Sequence, residues 1–84
     1  MNAKHKKTLA AIFASPVPRT MAFRDIESLL RAVGCETLNK PGSSVGFAKD
    51  GKNVGFHRPH PGKEAKGYQI RAARGFLEQI GVRP

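Results

Sequence analysis

The chain has one cysteine, no tryptophan, one tyrosine and six acidic residues among 84. A lone Cys35 cannot close an internal disulfide, which excludes a disulfide-stapled scaffold and fits a small packed thiol in a reducing compartment. A nucleophilic Cys35 working with a distant histidine would need a local motif, and none surrounds it. No apolar run approaches the length of a membrane-spanning helix. Lys4, Lys6 and Lys7 before Leu9-Ala10-Ala11-Ile12-Phe13-Ala14 resemble the start of an export signal, but the apolar part is six residues long and Pro16 and Pro18 follow at once. Such a segment is too short for export, so a cytoplasmic location is expected. The few acids form no carboxylate cluster that would point to a metal.

What the chain has in excess is positive charge. Fifteen Lys and Arg against six Asp and Glu give a net charge of +9 and a pI near 10.5. In a single small domain this predicts attraction to a polyanion, with nucleic acid first and an acidic protein or anionic membrane surface next. With 39% apolar residues the chain has enough for one modest core.

The strongest local pattern is Gly42-Ser43-Ser44-Val45-Gly46-Phe47-Ala48, then Asp50-Gly51, then Asn53-Val54-Gly55-Phe56-His57-Arg58-Pro59-His60-Pro61. Asp-Gly between two alternating apolar runs predicts a two-residue β-hairpin loop. Counting outward, Lys49 faces Lys52, Phe47 faces Val54, Val45 faces Phe56, and Ser44 faces His57. Val45, Phe47, Val54 and Phe56 then share a buried face. Ser44, Gly46, Gly55 and His57 share the opposite face, which is expected to stay open or only partly covered.

Around the hairpin, residues 2–14 place Leu9, Ile12 and Phe13 at helical spacing. Pro16 and Pro18 break that helix. A second helix over residues 23–33 carries the stripe Phe23, Ile26, Leu29, Leu30 and Val33, with Glu27 and Arg31 paired at i, i+4 and Gly34 as the stop. A first strand is expected over 35–39, a turn at Lys40-Pro41-Gly42, and a polar loop from Arg58 to Gly67. A last helix from Tyr68 to Ile80 buries Ile70, Ala73, Leu77 and Ile80 and ends at Gly81. The order α-α-β-β-β-α predicts an α+β two-layer sandwich: a three-stranded antiparallel sheet with its helices on one face.

From Phe23 to Val82 the sequence resembles the HicA toxins of bacterial type II toxin–antitoxin systems. The resemblance is carried by Phe23-Arg24-Asp25-Ile26-Glu27-Ser28-Leu29-Leu30, by Gly34, by Gly42-Ser43-Ser44 and by Phe56-His57-Arg58-Pro59-His60-Pro61. Lys63-Glu64 and Phe76-Leu77-Glu78-Gln79-Ile80-Gly81-Val82 complete it. It implies a double-stranded-RNA-binding-like fold, an mRNA endonuclease (mRNA interferase), and neutralisation by a cognate HicB-like antitoxin. On this reading residues 1–22 are a helical extension with a proline-containing linker, and 23–84 are the HicA-like RNA-binding domain. Better-known members carry a catalytic histidine after Gly-Ser on the strand. Here that position is Ser44, and the hairpin count sets His57 beside it on the neighbouring strand, where directly opposed Cβ atoms lie about 4.5–5.5 Å apart.

RNA carries its own nucleophile, the 2′-hydroxyl, so cleavage needs a base, a held phosphate and stabilisation of developing charge. Histidine suits the first task near neutral pH. Cations and backbone N–H groups suit the last. His57 is the candidate base, Ser44 a phosphate or water contact, and His60 the alternative imidazole. Lys40, Arg58, Lys63 and Lys66 are candidates for phosphates, and the start of the last helix near Gly67-Tyr68 adds backbone donors. Gly46 and Gly55 would let an RNA backbone approach the sheet. No cofactor or metal is called for.

Each residue also has a plainer reading. His57 is then an exposed strand residue, His60 a loop or partner contact, Ser43 and Ser44 turn residues, and the two glycines a site of twist. Lys4, Lys6 and Lys7 are then a solvated helix face. His57 and His60 with Cys35 or His5 lack the Cys pair expected of a zinc site. Two further functions stay open: a catalytically degenerate RNA-binding module of the same fold, and a basic protein whose charge serves only an acidic antitoxin.

Overall fold

A computed structural model describes residues 1–84. In chain order it contains α1 (Ala3–Ile12), β1 (Thr20–Ala22), α2 (Phe23–Ala32), β2 (Glu36–Asn39), β3 (Ser44–Lys49), β4 (Lys52–His57), β5 (Glu64–Lys66) and α3 (Gly67–Gln79). Strands β2, β3 and β4 form an antiparallel sheet in that order. It is the expected α+β sandwich, with the helices on the face that carries the buried apolar residues.

The hairpin register is the one that counting gives: Ser44 opposite His57, Val45 opposite Phe56, Phe47 opposite Val54 and Lys49 opposite Lys52. Asp50 and Gly51 both have positive φ, 54° and 79°, as a tight primed turn requires; an Asp tolerates that conformation and a Gly adopts it freely. Val45 and Phe47 are fully buried, Phe56 is nearly so, and Val54 is partly buried. Phe56 meets Phe23 edge-on at 5.4 Å and Phe47 at 6.4 Å between ring centroids, which ties the start of α2 to the sheet.

One cluster of 15 buried apolar residues takes members from all three helices, among them Leu9 and Ile12 of α1. The N-terminal helix is therefore part of the core. Asn2 caps it by accepting from the His5 amide at 2.8 Å. Its His5 ring reaches Ser28 on α2, Nε2 to Oγ 2.8 Å. Lys4 pairs with Asp25 at 3.4 Å. The Arg74 guanidinium of α3 lies 5.2 Å from the Phe13 ring centroid.

Two short strands depart from the expected pattern. Residues 64–66, expected as loop, pair antiparallel with residues 20–22, with Met21 opposite Ala65. Each strand is three residues long, and between them only Ala65 is fully buried. Alternation over so few residues leaves no pattern to read. This ribbon fixes the start of α3 beside the start of α2, where the Phe23 amide donates to the Lys63 carbonyl at 3.0 Å.

Candidate functional site

His57 ends β4 and Ser44 begins β3, so the two meet at the open end of the hairpin. Their side chains project from the same face, and Ser44 Oγ lies 3.4 Å from His57 Nδ1. His57 is exposed and Ser44 half-buried. The strand end is held firmly. The Arg58 amide donates to the Ser43 carbonyl at 2.8 Å. The Gln69 side-chain amide donates to the His57 carbonyl at 2.8 Å, and the same side chain accepts from the Lys66 amide at 3.1 Å. Gln69 is 4% exposed, so the start of α3 is buttoned to the backbone of His57. Sequence alone offers no sign of this, because Gln69 sits beside apolar Ile70 as an ordinary helix residue.

His57 stands between two hollows. On one side is a groove of about 600 Å³ lined by Ser43, His57, His60, Lys66 and Tyr68 among others. On the other is a smaller hollow of about 230 Å³ lined by Lys40, Ser44, Gly55 and His57. The structure thus brings together His57, Ser44, His60, Lys40, Lys66 and Gly55 around one point. Lys40 and Lys66 form no ion pair within the chain.

Three candidates are placed differently from expectation. Arg58 is committed to Glu27: Nε to Oε1 3.4 Å and Nη2 to Oε2 3.2 Å. Glu27 also receives Arg31 at 3.7 Å, and its side chain is only 11% exposed. A carboxylate that far from water holds its cations closely, so Arg58, which also lines the His57 groove and is 41% exposed, is already engaged in an ion pair. Lys63 lies in an adjoining groove of about 420 Å³, with Phe23, Arg24, Glu27 and Arg58, which shares Arg58, Pro59 and Glu64 with the first but no histidine. Gly46 is buried, because Leu38 and the Lys40 methylenes lie over it, each at 3.4 Å from where a Cβ would stand. Of the two glycines on this face, only Gly55 has open space above it.

Cys35 is buried, and burial pushes its thiol up from the ordinary value; Lys49 nearby opposes this and Asp50 adds to it. A thiol held protonated is a poor nucleophile. The histidines, Cys35 and the acids nowhere converge in a group of three or more that would hold a metal ion. No helix is long and apolar enough to cross a membrane.

The family described as "HicA toxin of bacterial toxin-antitoxin" matches residues 23–82. That span takes in both strands of the hairpin, the His57 and Ser44 pair, and α3. No curated protein and no solved structure matches the chain. The chain belongs to the HicA toxin family.

Proposed function

We propose that this HicA-family chain is an RNA-cleaving toxin in which His57 replaces, from the neighbouring strand, the imidazole that Ser44 lacks. The observation that carries this reading is the 3.4 Å approach of Ser44 Oγ to His57 Nδ1 on the exposed end of the sheet. HicA toxins cleave mRNA, and a site built around an imidazole suits that chemistry without a bound metal.

The hydroxyl contact has a consequence for the base. In the tautomer whose Nδ1–H donates to Ser44 Oγ, the Nε2 lone pair is free. Nε2 takes the proton of an RNA 2′-hydroxyl. The 2′-oxygen then forms a bond to the adjacent phosphorus, and the bond from phosphorus to the 5′-oxygen breaks. His60, on the wall of the same groove, is the second imidazole available to protonate the departing 5′-oxygen. The products are a 2′,3′-cyclic phosphate and a 5′-hydroxyl. Lys66 and Lys40, each lining a hollow that His57 also lines, neutralise phosphates flanking the scissile one. The partner in the cell is a HicB-like antitoxin, drawn to the same basic face.

One observation favours a second reading. The family's strand histidine is absent, and the hydroxyl in its place is a weaker partner for an imidazole than a carboxylate. A chain of this kind that binds RNA without cutting it is the alternative. Purified protein incubated with single-stranded RNA and a chelator separates the two. Cleavage leaving cyclic phosphate ends supports the toxin reading; tight binding with intact RNA supports the binding module.

A further inference from the structure

The chain has six aromatic residues, five Phe and one Tyr. Phe23, Phe47, Phe56 and Phe76 are buried, and Phe13 is partly buried under Arg74. Tyr68 is 63% exposed. It occupies the first turn of α3, directly before the Gln69 that is bonded to the His57 carbonyl. Its ring lines the 600 Å³ groove that also holds His57, His60 and Lys66, and Glu64 is the sole acid on that groove wall.

We propose that Tyr68 is the stacking platform for an unpaired RNA base next to the scissile phosphate, and that this groove is a single-strand nucleotide subsite. The inference rests on the RNA reading of the same groove. Leaving a large aromatic face in water costs free energy that packing inside would recover, and the other large rings of this chain are packed. An exposed ring in a groove that also holds a lysine without an ion pair and two imidazoles is an arrangement suited to single-stranded RNA: the cation meets the backbone and the ring takes a base face. Stacking accepts any base, so the subsite selects for unpaired RNA over duplex. It also holds the strand open beside His57, as in-line attack by a 2′-hydroxyl needs.

The single tyrosine and the lack of tryptophan make Tyr68 its own reporter. The wild-type chain is titrated with a short single-stranded RNA, 2′-O-methylated to prevent cleavage, while tyrosine emission is followed. An end-label on the oligonucleotide reports binding independently. The expected result is quenching that saturates with binding. Tyr68→Ala should weaken binding about 5- to 150-fold, the range for loss of one base stack. Tyr68→Phe, which keeps the ring, should bind within about twofold of wild type. An abasic oligonucleotide of the same length should bind the wild type and Tyr68→Ala equally. RNA binding with unchanged emission, or with Tyr68→Ala equal to wild type, overturns the inference and leaves the cleavage reading standing. Emission that responds to an acidic antitoxin but not to RNA overturns it in favour of a protein contact. Quenching and base-dependent binding by a chain that never cuts RNA uphold the inference and remove the nuclease reading. Absence of any RNA binding at low salt removes both.

Discussion

The side-chain amide of Gln69 donates to the main-chain carbonyl of His57 at 2.8 Å, from a position 4% exposed. This bond fixes where the exposed imidazole begins, through a nearly buried residue on the floor of the same groove.

Gln69→Leu keeps the volume and removes this bond together with the one from the Lys66 amide. It leaves the His57 carbonyl without its donor, and the expected loss of stability is about 1–3 kcal/mol. Urea unfolding checks this. At temperatures where the variant is folded, RNA cleavage should fall more than RNA binding, because the His57 backbone loses its anchor while Lys66, which loses one amide contact, is one of several cations.

Ser44→Ala removes the hydroxyl that meets Nδ1. The fold should be unaffected, since Ser44 is half-buried at a strand start and surface changes of this kind lie within about 0.5 kcal/mol. Cleavage should drop by roughly tenfold, a modest share of what a positioned base contributes. A single-turnover assay at saturating protein measures it.

The cations divide into two kinds. Arg58→Ala leaves Glu27 with Arg31 alone, at 3.7 Å, and the expected cost is about 1–2 kcal/mol, reduced because the Arg58 side chain is 41% exposed. The salt dependence of RNA binding should not change. Lys40→Ala and Lys66→Ala should do the reverse. Stability holds for Lys66→Ala and falls slightly for Lys40→Ala, which uncovers Gly46, and the slope of log affinity against log salt falls by about one for each phosphate that is no longer neutralised. Thermal melts and salt titrations of the three variants distinguish the two kinds.

Leu9→Ala tests whether α1 is structural. Leu9 is 2% exposed in the common core, so truncation should cost about 2–5 kcal/mol. A loss below about 0.5 kcal/mol would mean that α1 contributes little to the core.

Cys35 gives a pH dependence. Its thiol is raised by burial, so the folded chain holds the proton more tightly than the unfolded one. Stability is therefore fully present below the ordinary thiol value and declines as pH rises from there through the raised one. Alkylation of Cys35 should be negligible in native protein at neutral pH and complete in denaturant. Cys35→Ala should flatten the alkaline decline.

How much of this was legible in the sequence varied with the reach of each interaction. The Ser44–His57 apposition followed from Asp50-Gly51, because a two-residue loop fixes every pair behind it. Helix α2 followed from a stripe repeated over three turns. The β1–β5 ribbon did not, since three residues with one buried side chain carry no period. The Arg58–Glu27 pair spans 31 positions, and Glu27 already had a nearer partner in Arg31. The Gln69 bond depends on where α3 begins against the end of β4, a matter of packing and not of local pattern. Gly46 looked like open floor because the sequence does not say that the Lys40 stem folds back over it.

The central claim is that the His57 imidazole removes the 2′-hydroxyl proton. Single-turnover cleavage of a labelled single-stranded RNA, by wild type, His57→Ala and His60→Ala, tests it most directly, with binding measured on a 2′-O-methylated copy. His57→Ala is expected to bind as wild type and to lose cleavage by about 10²- to 10⁴-fold, with a smaller loss for His60→Ala. Cleavage by His57→Ala at the wild-type rate would contradict it.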